Sequence, residues 1–269
     1  MHERELEIAL AAARLAGQHL VAEYERFKAI PNAPADITTD ADRQAQDIII
    51  EHIGAHFPGD AFCAEEQTAK VAGKPSTGQR LWIIDPIDGT RGFAQKNGEF
   101  SVMIGFVEGG ETVAGLVAQP ASGRLTYATR GKGCWRKDGD AAPVRCEVAG
   151  TTELSKSTLV QSRSRTPGKA SKTTAAIAPA HIVETYSAGI KLALVARGEV
   201  DIYLNTYTEF HDWDICAGHI LVTEAGGKVS GLKGETLRYG LPGAWQRHGL
   251  LATNGKIHDA ALDRLRSAG

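Results

Sequence analysis

Cysteine is scarce in this chain. Four occur in 269 residues, Cys63, Cys134, Cys146 and Cys216. None forms a Cys-x-x-Cys pair, which excludes the common zinc and dithiol redox motifs, and reduced thiols are the expectation. Long apolar runs are missing, so no segment is expected to span a membrane. The opening residues Met1-His2-Glu3-Arg4-Glu5 are charged and hold no signal-peptide core, which makes a cytoplasmic protein the expectation. A net charge of −2 supplies no basic field, so a nucleic acid polymer is not expected as a partner. Internal repeats and low-complexity tracts are absent as well. What is present is 42% hydrophobic residues, enough for one large core or two smaller ones.

Helical spacing of Leu6, Leu10, Ala13, Leu20, Tyr24 and Phe27 predicts a first helix over about residues 3–28. Pro31 and Pro34 break it. Thr39 and Asp42 fit a capping box, and Ala45, Ile48, Ile49 and Ile53 give a second helix its apolar face. That helix is expected to end near Phe57-Pro58-Gly59. Residues 67–80 are polar and read as a mobile loop. Strands are predicted at 101–107 and 112–118, joined by Glu108-Gly109-Gly110-Glu111, then at 124–129, 133–136 and 143–148. Ala149-Gly150-Thr151-Thr152 is the expected boundary between domains 1–150 and 151–269. Beyond it, strands at 159–161, 182–184, 200–204 and 249–252 alternate with helices at 187–197, 213–225 and 256–267. The fold class is therefore α+β followed by α/β, with an antiparallel sheet in the first half.

The segment Trp82-Ile83-Ile84-Asp85-Pro86-Ile87-Asp88-Gly89-Thr90 carries the most chemistry. An apolar run reads as a buried strand, and Asp-Pro and Asp-Gly punctuate its end. Two carboxylates at such a place raise each other's pKa when both ionise. A hard divalent cation removes that repulsion. Gly89 allows close backbone approach to a ligand, and Thr90 adds a hydroxyl. Three further acidic sites stand out. Glu65-Glu66 follows Ala61-Phe62-Cys63; it reads alone as surface charge. Asp214 follows Trp213 and reads alone as an acid at a helix start. Asp40 reads alone as a helix cap. Together they are the supply of carboxylates a two-metal site needs.

These segments resemble the inositol monophosphatase superfamily of metal-dependent, lithium-sensitive phosphatases. Glu65-Glu66, the Trp-x-x-Asp-Pro-x-Asp-Gly-Thr run at 82–90 and Trp213-Asp214 with Ala217-Gly218 carry the match, in order and spacing, over nearly the whole chain. The resemblance implies a layered sandwich with a mixed sheet and helices in the second half. It implies two or three Mg²⁺ ions, one held by Glu65, Asp85 and the Ile87 carbonyl and another by Asp85, Asp88 and Asp214. The amides of Gly89 and Thr90 would receive the phosphate. Thr90 and Asp40 would orient and deprotonate the attacking water, with Glu65 beside them as a catalytic residue. Glu66 receives no ligand role. Relatives of this kind are often homodimers, although no patch in the sequence identifies an interface. Phosphoryl transfer asks mainly for positioning and charge neutralisation, so no serine or cysteine nucleophile is required. His211 reads as packing or surface.

Within the superfamily, three segments resemble the CysQ-like 3′(2′),5′-bisphosphate nucleotidases. They are Asn97-Gly98-Glu99-Phe100-Ser101-Val102, Ser162-Arg163-Ser164 and Ser187-Ala188-Gly189-Ile190-Lys191. On this resemblance Lys191, Ser187 and Gly189 would bind substrate, Lys191 as a point charge for a second phosphate. Arg163 and Arg165 read equally as loop residues. Inositol phosphatases carry a glutamate seven residues before the Trp-Asp aspartate. Here that position is Tyr207, and Glu209 is displaced by two. Tyr207 or Phe210 is free to stack on a base or to pack. The substrate expected is a small phosphate ester, phosphoadenosine phosphate first and an inositol or sugar phosphate as the alternative.

Overall fold

The computed structural model describes residues 2–34, 36–163 and 171–268. Helices α1 (Glu3–Arg26) and α2 (Asp40–His56) open the chain. Strands β1 (Ala61–Ala64) and β2 (Arg80–Asp88) precede the short helix α3 (Thr90–Ala94). Strands β3 (Ser101–Glu108), β4 (Glu111–Gln119), β5 (Arg124–Thr129), β6 (Cys134–Asp138) and β7 (Val144–Cys146) follow. The second half runs β8 (Thr158–Gln161), α4 (Lys172–Ile177), β9 (His181–Glu184), α5 (Ala188–Ala196), β10 (Ile202–Asn205), β11 (Phe210–His211) and α6 (Asp212–Glu224). It closes with β12 (Lys228–Ser230), β13 (Trp245–Gln246), β14 (Leu250–Thr253) and α7 (His258–Ala268).

Strands β1 to β7 form a seven-stranded sheet in chain order. Only β1 and β2 pair in parallel; their 65–79 connection replaces a hairpin. The second sheet has the order β12-β14-β10-β8-β9. It is mixed, with β8 parallel to β9 and β10 while β14 runs antiparallel to β10 and β12. A two-stranded ladder joins β11 to β13.

Alternation along the strands explains the layers. Phe62, Ala64, Trp82, Ile84, Val102, Ile104 and Phe106 face α1 and α2. Their neighbours Ala61, Cys63, Leu81, Ile83 and Met103 face the other way, towards α5 and α6. A sheet covered on both faces reads as a continuous apolar run, which is how β2 looked in the sequence. The second sheet repeats the pattern. Val160, Tyr203, Leu250 and Ala252 meet α5 and α6, while Leu159, Ile202, Leu204 and Leu251 meet α4 and α7. The order is helices, sheet, helices, sheet, helices. The middle helix pair, α5 and α6, lies in one core that draws residues from both sheets.

Close approach of α6 to the first sheet depends on two glycines. A Cβ at Gly105 would lie 2.6 Å from Cys216 Sγ, and one at Gly115 would lie 2.8 Å from Ile220 Cγ2. Their absence lets the start of α6 reach the ends of β1 and β2. The predicted helix and strand positions agree with those observed to within a few residues. Strand β1, helices α3 and α4 and the short strands β11, β12 and β13 were not predicted. Each is only two to six residues long, too short for a periodic signal.

Candidate active site

A β-bulge creates the acidic loop. Asp85 pairs with Met103 and Asp88 with Ser101, so three steps on β2 match two on β3. In a regular strand, residues three apart point to opposite faces. The extra residue brings Asp88 to the same side as Asp85, towards α5 and α6. Pro86 sits in the bulge, where its missing N–H removes no regular ladder bond. Gly89 then turns the chain with φ of +85°. A Cβ there would meet the Glu99 carbonyl at 2.7 Å and Ser187 Cα at 3.2 Å. Helix α3 starts at Thr90.

Four carboxylates gather around this turn. Asp85 is buried, and burial holds its pKa well above the usual range; the charges of Glu65, Asp88 and Asp214 raise it further. Glu65 follows the end of β1. It is pushed up to about 8, first by burial and then by Asp214, Asp42 and Glu66, with an opposing hydrogen bond to Asp85. Asp214 lies in the first turn of α6, where its Oδ2 accepts the His211 amide at 2.6 Å. It is pushed up to about 7, chiefly by burial, with Asp88 adding repulsion. Asp88 is the best-satisfied member. Its Oδ2 accepts the Gly189 amide (2.7 Å), the Ser101 hydroxyl (3.2 Å) and the Ser187 hydroxyl, and its Oδ1 accepts the Ala188 amide (3.1 Å).

Two buried oxygens, Glu65 Oε2 and Asp85 Oδ1, have no hydrogen-bond partner among the described residues. Among the described residues, no three metal-binding side chains close into a cage around one point. Orphaned carboxylate oxygens are acceptors that a hard cation satisfies, so the residues present fit Mg²⁺.

The expected Thr90–Asp40 pair is not formed. Asp40 is exposed and binds Arg43 on the outside of α2 at 2.6 Å. Asp42 takes its place. Its Oδ1 accepts the Thr90 hydroxyl at 3.0 Å, and its Oδ2 accepts the Thr39 amide (2.8 Å) and hydroxyl (2.6 Å). The physical reason is helical phase: residues two apart point to nearly opposite sides. Asp42 is pushed up to about 6, first by burial, while its bonds from Thr39 and Thr90 pull the other way. The Thr90 hydroxyl also lies 3.0 Å from the Ile87 carbonyl. Glu66 turns away, accepting Thr38 Oγ1 at 2.6 Å, and Gln46 brackets its backbone.

Ser187, Gly189 and Lys191, expected to bind substrate, are engaged with the protein itself. Ser187 and Gly189 are directed at Asp88. Lys191 is buried, and its three donors reach Tyr186 O (2.8 Å), Thr185 O (3.1 Å) and Ser162 Oγ (3.2 Å). Burial lowers its pKa to about 8. These three residues position Asp88 and the turn before α5. Ser164 and Arg165 lie outside the described residues. Tyr207 is exposed and hydrogen-bonded to Glu209 at 3.2 Å, while Phe210 is buried. His211 packs as expected, stacked on Trp213 at 4.2 Å.

Fold and site together define a hydrolase of phosphate monoesters. The family model for the inositol monophosphatase family matches residues 1–268. The chain is 30% identical to the histidinol-phosphatase of Mycobacterium tuberculosis, covering 99% of this chain and 100% of that one. It is 30% identical to the 3′(2′),5′-bisphosphate nucleotidase CysQ of Salmonella typhimurium, covering 87% and 93%. The solved inositol monophosphatase of Anabaena superposes with a TM-score of 0.80 at 31% identity, covering 98% and 96%. The chain belongs to the inositol monophosphatase family, whose members are generally Mg²⁺-dependent.

The raised pKa values give a sign to the pH dependence. Glu65, Asp214 and Asp42 hold their protons more tightly folded than unfolded. Their contribution to the metal-free fold is therefore complete below the ordinary carboxylate range and is lost as pH rises through about 6 to 8. Mg²⁺ takes the deprotonated form, so its stabilisation grows over the same window. Thermal unfolding should show a small Mg²⁺ increment near about pH 5.5 and one of roughly 5 °C near about pH 8. Glu65→Gln should flatten that difference. An increment independent of pH would contradict the arrangement.

Proposed function

We propose that this chain is a Mg²⁺-dependent 3′(2′),5′-bisphosphate nucleotidase that hydrolyses phosphoadenosine phosphate to AMP and phosphate. The observation that carries this reading is the meeting of three segments in one wall of the site. Glu99 accepts from Arg163 and from the Tyr186 amide (3.2 Å), and Lys191 reaches Ser162. These segments are the ones that resemble the nucleotidase branch. Tyr207, in place of a glutamate that would meet inositol hydroxyls, supports the same choice.

Glu65, Asp85 and the Ile87 carbonyl would hold one Mg²⁺, and Asp85, Asp88 and Asp214 another. When bound, the cations would neutralise the carboxylates and phosphate and make a nearby water more acidic. The chain's own residues do the rest. The amides at Gly89 and Thr90 would receive the phosphate. The Thr90 hydroxyl donates towards Asp42, which leaves its oxygen free to accept a proton from water. Asp42, with a pKa near 6, takes that proton through Thr90. Water attacks phosphorus and the ester P–O bond breaks; the departing alkoxide takes a proton from solvent, and Asp42 later returns its own to solvent.

Two experiments test this. A panel with Mg²⁺ should rank phosphoadenosine phosphate above inositol 1-phosphate, fructose 1,6-bisphosphate and histidinol phosphate. Faster release from any of the other three would sink the nucleotidase reading, and no hydrolysis at all would point to a binding protein. Asp42→Asn should lower kcat by roughly 10²–10⁴-fold, while Asp40→Asn should change it less than about threefold. The reverse ranking would restore Asp40 to the mechanism.

A further inference from the structure

The wall that carries Lys191 also carries two arginines. Glu99 Oε1 and Oε2 hold Arg163 in a two-point ion pair. Lys191 is enclosed by three oxygens. Arg91 differs from both. It follows Thr90 directly, and its guanidinium shares the Tyr186 ring with Arg163, at 5.3 Å and 5.8 Å from the centroid, but without a carboxylate partner among the described residues. Tyr186 precedes Ser187, whose hydroxyl binds Asp88. Its backbone is fixed at both ends, the amide on Glu99 and the carbonyl on Lys191. The ring is thus a rigid support beside the turn that holds Asp88 and Gly89. The Arg91 Nε is buried and has no hydrogen-bond partner among the described residues. Among the described residues no carboxylate pairs with this guanidinium and no acceptor meets its Nη groups.

Arginine N–H groups inside proteins are normally hydrogen-bonded, because a desolvated donor left unpaired is unfavourable. Here Nε is buried and the guanidinium carbon lies over the aromatic ring. The terminal Nη edge is left as the donor surface. A planar fork of this kind suits the oxygens of a phosphate and loses little freedom on binding one. Arg91 follows Thr90 directly and lies over the ring of Tyr186, the residue before the Ser187 cap of α5, so it stands beside the turn that would receive the reacting phosphate. That is where a second anionic group would lie when the reacting phosphate occupies the Gly89–Thr90 turn.

We propose that Arg91, lying over the Tyr186 ring, reads the second phosphate of the substrate, the role that the resemblance implied for Lys191. The inference rests on the reading that the substrate carries two phosphates. Kinetics of Arg91→Met and Arg91→Lys on phosphoadenosine phosphate and on adenosine 3′-monophosphate separate the two ideas, since both ligands share the reacting group and the base. Arg91→Met should raise KM for the bisphosphate roughly ten- to a hundredfold with kcat nearly unchanged. KM for the monophosphate should move less than about threefold, and Arg91→Lys should recover part of the loss for the bisphosphate alone. Equal losses on both substrates, or none on either, overturn the assignment even if the nucleotidase reading stands. A wild-type enzyme that prefers fructose 1,6-bisphosphate sinks that reading instead. In that case the same selective loss, measured against fructose 1-phosphate, still supports Arg91. A wild-type enzyme that favours no bisphosphate over its monophosphate overturns the subsite outright.

Discussion

Repulsion among Glu65, Asp85, Asp88 and Asp214 is the constraint on which the rest of the structure turns. Burial raises the pKa of three of them, and each adds to the difficulty of its neighbours. No chain would gather such groups for stability, since uncompensated charge in a covered site is unfavourable. The fold answers with donors where it can. Asp88 receives two amides and two hydroxyls, and Asp214 caps α6. It leaves Glu65 Oε2 and Asp85 Oδ1 unanswered. The unanswered oxygens are the part of the site that calls for a cation.

The layers make that crowding possible. The ends of β1 and β2 deliver Glu65, Asp85 and Asp88 to one edge of a sheet covered on both faces. Helix α2 comes from one side with Asp42, and α6 from the other with Asp214. Gly105 and Gly115 let α6 come close enough. The bulge between Asp85 and Asp88 turns both carboxylates the same way. Remove any of these and the acids point into separate environments, where each has an ordinary structural explanation.

Legibility in the sequence followed physical range. The long helices and the hairpins were readable because their periodicity repeats over many residues, and the acidic motif because its residues are contiguous. Asp42 was half read. The capping box with Thr39 was recognised, and that signal already implied a carboxylate folded back over the helix start, while Asp40 one position into the helix faces outward. The surroundings of Lys191 and Ser187 are hidden in the sequence for a different reason. Spacing shows that a lysine follows a small-residue turn, but not that three oxygens enclose it. Arg91 left no periodic signal. Its meaning depends on Tyr186, ninety-five residues further on, and on Glu99 having already engaged Arg163. Long-range partnership of that kind has no local signature.

The most direct test of the central claim is anomalous scattering from a crystal soaked in Mn²⁺ near about pH 8, where the carboxylates are deprotonated. Two peaks that share the Asp85 carboxylate are predicted, one also bounded by Glu65 and the Ile87 carbonyl, the other by Asp88 and Asp214. A soaked crystal with Glu65 and Asp85 still unpartnered, or with ions bound only elsewhere, would contradict the account.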